Sequence, residues 1–206
     1  MPDNYRTMSP NYTQRNNPTN PERACNVSAV CSALRAAGYQ LPPGPTSQDD
    51  ENFMRFIRGS KECLLLTEKL NRDWKTLDTS EEVPPEQCHA VLDFAANQWL
   101  GKHIACTIQK SSAQMMMNHM DNGGTCFASG KFPTTNGHYV AIVDYYKPAG
   151  AFNPDYWIIK DPWGDCNTGY KSHYGNNVQL KWADYLHWMR KADEEMKMMH
   201  FIARTI

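Results

Sequence analysis

The sequence predicts an α+β fold with an N-terminal helical half and a C-terminal antiparallel sheet. Three observations carry that prediction. Apolar residues recur at helical spacing in the segments before Gly101. After Gly101 the periodic segments shorten and alternate as strands do. Two runs rich in Val, Ile, Tyr and Trp, His138 to Tyr146 and Tyr156 to Lys160, flank a loop holding Pro148, Gly150 and Pro154, which is the pattern of a β-hairpin with a long connection.

Taken in order, the first 23 residues are rich in Asn and Pro and read as an irregular N-terminal segment. Ala24 to Ala37 carries Val27, Val30, Cys31 and Leu34 on one stripe and stops at Gly38, predicting a buried helix whose N-terminus lies near Cys25. Ser47, with Asp49, Asp50 and Glu51 behind it, reads as a capped start leading into Phe53, Phe56 and Ile57. A shorter helix follows from Lys61 to Leu70. Pro84-Pro85-Glu86 opens another, with Val91, Leu92, Ala95 and Trp99 in line and Gly101 as its stop. His103 to Gln109 reads as a strand, Ser111 to Met120 as a helix and Thr125 to Ser129 as a strand. Lys181 to Lys191 reads as a helix, and Met198 to Thr205 as a last strand closing the sheet. A chain of 206 residues favours a single core, so residues 1–206 are read as one domain.

Composition narrows the function. Lys plus Arg number 21 against 22 Asp plus Glu, a balance with no electrostatic footprint for nucleic acid or anionic membrane. No apolar run approaches the roughly 18 residues of a membrane span. The first 20 residues lack a basic start and an apolar core, so the expectation is synthesis in the cytoplasm without a signal peptide. Seven cysteines, an odd number with no CxxC pair, argue for free thiols and against a disulfide scaffold or structural zinc. Asp49-Asp50 has the composition of a calcium site, and exposed helix-start carboxylates explain it equally. No phosphate loop or dinucleotide fingerprint occurs. The methionines of 115–117 and 196–199 read as adaptable core filler, and Glu194-Glu195 with its flanking lysines as a solvated face.

A cysteine at a helix N-terminus faces unpaired N–H groups and the positive dipole end, which favour the thiolate. Such a nucleophile needs a histidine base and a group to orient it. The turn Asn136-Gly137 delivers His138 to the first position of a strand. If Val143 or Asp144 faces Tyr156, an antiparallel ladder sets His138 opposite Asp161 or Pro162, within reach of an imidazole–carboxylate hydrogen bond. Alone, each residue has an ordinary reading: a core cysteine, a surface turn histidine, and an aspartate shaping the turn Asp161-Pro162-Trp163-Gly164.

Together, a Gln upstream of a Cys at a helix start, Gly-His-Tyr-Val-Ala-Ile-Val-Asp-Tyr at 137–145 and Asp-Pro-Trp-Gly-Asp at 161–165 resemble the bacteriocin-processing-peptidase-like branch of papain-fold cysteine peptidases. The resemblance spans Tyr12 to Trp188, although Gln40 to Gln109 carries no shared motif. It implies a papain-like fold with Cys25 as nucleophile, His138 as general acid/base, Asp161 as orienting carboxylate and Gln14 in the oxyanion hole beside the Cys25 N–H, with no cofactor or metal. Ten residues separate Gln14 from Cys25, more than in the compact family pattern, so Asn16, Asn17 or Asn20 is an alternative donor. The stretch from Asp161 to Tyr174, with Trp182, resembles the C-terminal part of such domains in bacteriophage lysins and virion proteins. That likeness implies an amide bond of peptidoglycan peptide as substrate, release through a holin or carriage on the virion, and a groove lined by Trp163, Tyr170, Tyr174 and Trp182. Ordinary packing explains each of those aromatics as well. The rivals are a leader-peptide or general protein-cleaving peptidase, a non-catalytic wall- or protein-binding module, and a virion structural subunit.

Overall fold

The helix α2 (Cys25–Ala36) is the axis of the helical half. Ten of its residues are buried, and small side chains such as Ala29, Ala33 and Ser32 let neighbours approach closely. The computed structural model describes residues 5–18, 20–75, 83–108, 111–133, 137–189 and 199–205. Before α2 lies the short α1 (Tyr5–Met8), and after it come α3 (Asp49–Gly59), α4 (Lys61–Lys75), α5 (His89–Leu100), α6 (Ala113–Asp121) and α7 (Trp182–Met189). The strands are β1 (Ala105–Ile108), β2 (Thr125–Gly130), β3 (His138–Tyr146), β4 (Tyr156–Lys160), β5 (Val178–Lys181) and β6 (Met199–Ile202).

The strands form a six-stranded antiparallel sheet in the order β1-β6-β2-β3-β4-β5. Strand β3 is buried along most of its length because helices cover both of its faces. Its odd positions, Tyr139, Ala141 and Val143, join the core made with α2, α3 and α5. Val140 and Ile142 point the other way, into a core with α6, α7 and Trp157. The α+β expectation, helices first and sheet second, is therefore met.

Several elements differ from expectation. The N-terminal segment is not irregular throughout: α1 and a 3₁₀ turn at Gln14–Asn16 punctuate it, and it is tied down by buried charge. Arg6 bonds Asp144 at 3.2 Å and also the carbonyl of Met120, while the fully buried Lys160 ammonium donates to the carbonyls of Ser9 (2.6 Å) and Thr7 (3.3 Å) and to Asn176 (2.6 Å). Ser47 is not the cap of α3; Gln48 occupies that position, and its side chain does not cap the helix. Helix α4 runs on to Lys75, past Leu70. Pro85–Gln87 is a separate 3₁₀ turn, and α5 begins only at His89, ending at Gly101 with φ +62. Val178–Lys181 is a strand, so the last helix starts at Trp182. Strand β6, the expected last strand, lies inside the sheet, between β1 and β2. Gln109, Asn136, Lys191, Glu194, Glu195, Met196, Lys197 and Met198 lie outside the described residues.

The hairpin register is also shifted. Tyr146, not Val143 or Asp144, faces Tyr156, and a bulge between Ile142 and Asp144 absorbs one residue. The ladder ends at Ala141 and Lys160, so His138 has no direct partner on β4 and pairs instead with Gly130 on β2.

Candidate active site

Cys25 is the first residue of α2, and Ala24 at the cap makes no side-chain hydrogen bond. The first N–H groups of a helix have no intrahelical partner, and the Ala24 side chain cannot supply one beside the thiol. Asn26 turns back to cap Val27 N at 2.9 Å and anchors to the carbonyl of Glu86, fixing the helix start against the turn before α5. Cys25 is half-buried. All seven cysteines are free, and burial pushes the thiols of Cys31, Cys63, Cys88, Cys106, Cys126 and Cys166 up, away from the thiolate form.

His138 opens β3 directly after Gly137, whose φ is +77. Its Nε2 meets Asp161 Oδ1 at 2.6 Å although the two residues are not directly opposed. The contact is a diagonal one across the hairpin end, which long side chains can span. Nε2 is thus committed to the carboxylate, leaving Nδ1 as the other ring nitrogen, and the Cys25 thiol lies close enough to favour the protonated ring. Burial lowers the proton affinity of His138. The Asp161 charge and hydrogen bond, with the Cys25 thiol, outweigh that and raise it to about 9.

Asp161 is fully buried at the end of β4. Its Oδ1 also accepts from Trp163 N at 3.0 Å, and its backbone N–H donates to Gly175 O at 2.8 Å. A Cβ at Gly175 would sit 1.9 Å from the Asp161 carbonyl oxygen, so only glycine permits this approach. Cys25, His138 and Asp161 are therefore brought together.

Gln14 is drawn toward them by main-chain ties. Its N–H and the Thr13 hydroxyl both donate to Pro162 O at 3.1 Å, and its side-chain amide donates to Pro21 O at 2.7 Å, just before α2. One N–H of that amide is thereby spent, leaving the second for a ligand. Among the alternatives, Asn16 is exposed with its carbonyl bonded by Gln48, and Asn17 is buried with its Oδ1 accepting from Asn20 N.

The four aromatics separate. Trp163 is half-buried and covered by Arg15, whose guanidinium lies 3.9 Å from the ring centre while its Nε donates to Trp163 O at 2.6 Å. Tyr170 packs edge-on to His138 at 5.9 Å. Tyr174 is exposed. Trp182 is not near His138: its N–H bonds Asp155 O and it stacks on Tyr185, at the opposite end of the hairpin. Sequence reasoning missed Phe132, edge-on to His138 at 5.7 Å, and Trp188 behind it. Only the return path of α7, set by Lys131 N bonding Trp188 O, reveals that pairing. Asp49 and Asp50 are spent on the hydroxyls of Tyr12 and Ser28, and among the described residues no three His, Cys, Asp or Glu side chains converge as a metal site.

No family model matches the chain, and no curated protein does. Among solved structures it is similar to a Bacillus anthracis protein provisionally described as a C39-like peptidase, with 14% identity, 97% of each chain covered and a TM-score of 0.57. At that identity the likeness shows the fold: the chain has the papain-like fold of a C39-like peptidase.

Proposed function

We propose that the protein is a cysteine peptidase that hydrolyses an amide bond. The observation that carries this reading is the meeting of Cys25, the first residue of α2, with a His138 whose Nε2 is held 2.6 Å from Asp161. In the proposed reaction the Cys25 thiolate attacks the amide carbon, and the carbonyl electrons collect on oxygen. That oxyanion takes hydrogen bonds from the Cys25 N–H and the free N–H of Gln14. His138 gives its Nδ1 proton to the leaving nitrogen as the C–N bond breaks, leaving a thioester. Neutral His138 then takes a proton from water, hydroxide adds to the thioester and the thiolate departs.

The substrate we favour is the peptide part of bacterial peptidoglycan, met after the enzyme leaves the cell that makes it, as with phage lysins. Exposed Tyr174 and the Arg15-covered face of Trp163 beside the site suit a polymeric, polar substrate. The test is release of new amino groups from purified peptidoglycan and, in parallel, from casein, by wild type and Cys25→Ala under reducing conditions. Release from peptidoglycan that Cys25→Ala loses supports the full reading. Release from casein alone leaves a general peptidase, and equal release by both proteins removes Cys25 as nucleophile.

A further inference from the structure

We propose that Tyr170 is a positioning residue for this site, its hydroxyl donating a hydrogen bond to Asp161 Oδ2 and so locking the carboxylate against His138. The inference rests on the reading of Cys25, His138 and Asp161 as a thiol peptidase centre. Asp161 Oδ1 accepts from both His138 Nε2 and Trp163 N, while Oδ2 is buried and, among the described residues, has no hydrogen-bond donor within 3.5 Å. A buried carboxylate oxygen without a donor is costly, and rotation about the side chain would exchange it for Oδ1 and release His138. The Tyr170 hydroxyl is likewise buried without a partner within 3.5 Å, and Asp161 is the carboxylate it faces. The tyrosine ring stands edge-on to the imidazole at 5.9 Å and 81°, beside the same carboxylate that the imidazole engages.

The backbone points the same way. Tyr170 has φ +64, directly after Gly169 at +61. A bulky residue in the left-handed region persists only where its surroundings enforce it. Here the enforcement comes from the 3₁₀ turn Cys166–Thr168, capped by Asp165, whose carbonyl also accepts from Tyr170 N at 3.1 Å. The chain thus spends strain to hold one phenol over the buried end of the carboxylate.

The test is a double-mutant cycle read by alkylation of Cys25 with iodoacetamide at pH 6, followed peptide by peptide with exposed Cys106 as internal reference and circular dichroism as fold control. Tyr170→Phe, which removes only the hydroxyl, is expected to slow Cys25 alkylation about tenfold, the effect of one hydrogen bond to a charged group. In an Asp161→Asn background the same change is expected to alter the rate less than twofold, because the hydroxyl acts through the carboxylate. An unchanged rate in Tyr170→Phe while Asp161→Asn is slow overturns the proposal and leaves the site intact. Equal slowing in both backgrounds overturns it in favour of simple packing. If His138→Gln and Asp161→Asn leave Cys25 no more sluggish than wild type, the peptidase reading fails and the role of Tyr170 with it.

Discussion

Replacing His138 by Gln should remove a block of stability that the wild-type protein holds only while the imidazole is protonated. The folded site raises the proton affinity of His138 from the ordinary 6.5 to about 9, so the folded state binds that proton more tightly than the unfolded chain does. The resulting stabilisation is complete below about pH 6.5 and is lost as pH rises through about 9. At about 1.4 kcal/mol per pH unit, it amounts to about 3 kcal/mol for a side chain this deeply buried. Two other groups titrate nearby with the opposite sign. Burial lowers His89 to about 4 and Lys160 to about 8, so their contributions grow with pH, between about 4 and 6.5 and between about 8 and 10.5 respectively. Both are present in wild type and variant, and they cancel when one stability curve is subtracted from the other. The assay is urea unfolding of both proteins at half-unit steps from pH 6 to 10. The difference should fall by about 3 kcal/mol across that range. A flat difference would show that Asp161 and the Cys25 thiol do not hold the imidazolium, and the account of His138 as holding a proton for the leaving nitrogen would fail with it.

Other perturbations follow from single contacts. Asp144→Ala leaves the Arg6 guanidinium buried without its carboxylate and should cost about 3–5 kcal/mol in urea unfolding. Gly175→Ala drives a methyl group into the Asp161 carbonyl, so about 2 kcal/mol of stability should be lost together with most of the Cys25 reactivity toward iodoacetamide. Arg15→Ala uncovers Trp163, and in the proposed reaction it should raise KM for peptidoglycan several-fold with kcat little altered and stability reduced by under about 1 kcal/mol. Trp157→Ala, in the core beneath α7, should cost about 3–5 kcal/mol by leaving a cavity, which thermal unfolding would report.

What was legible in the sequence followed from local physics. Strands β3 and β4 have the predicted bounds because β-branched and aromatic residues filled both faces of a central hairpin. Helix α2 stood out through its stripe and its glycine stop, and with it Cys25. What stayed hidden depended on distant partners. The four-residue β5 alternates too briefly to be told from the start of the helix that follows. The N-terminal segment looked irregular since its order comes from Asp144 and Lys160, more than a hundred residues away. The approach of His138 to Asp161 was anticipated, but through direct opposition. The bulge between Ile142 and Asp144 and the two-residue displacement of the ladder convert it to a diagonal, a difference that no local pattern encodes. Phe132 and Trp188 were missed for a similar reason: their contact exists only once α7 has folded back along the sheet.

The placement of β6 has a consequence for the order of events during synthesis. Strands β1 and β2 emerge early, yet they do not pair with each other; each waits for a strand that begins at Met199. Until Met199–Ile202 is made, β1 is detached from the rest of the sheet, and β2, the strand against which His138 is registered, lacks one of its two neighbours. Contacts of such long sequence separation form slowly because the intervening loop must be ordered before they repay it. Cys25 is therefore translated long before the strands that position His138 are all in place. If the proposed reaction holds, a nascent chain would carry Cys25 before the strand that registers His138 has both of its neighbours.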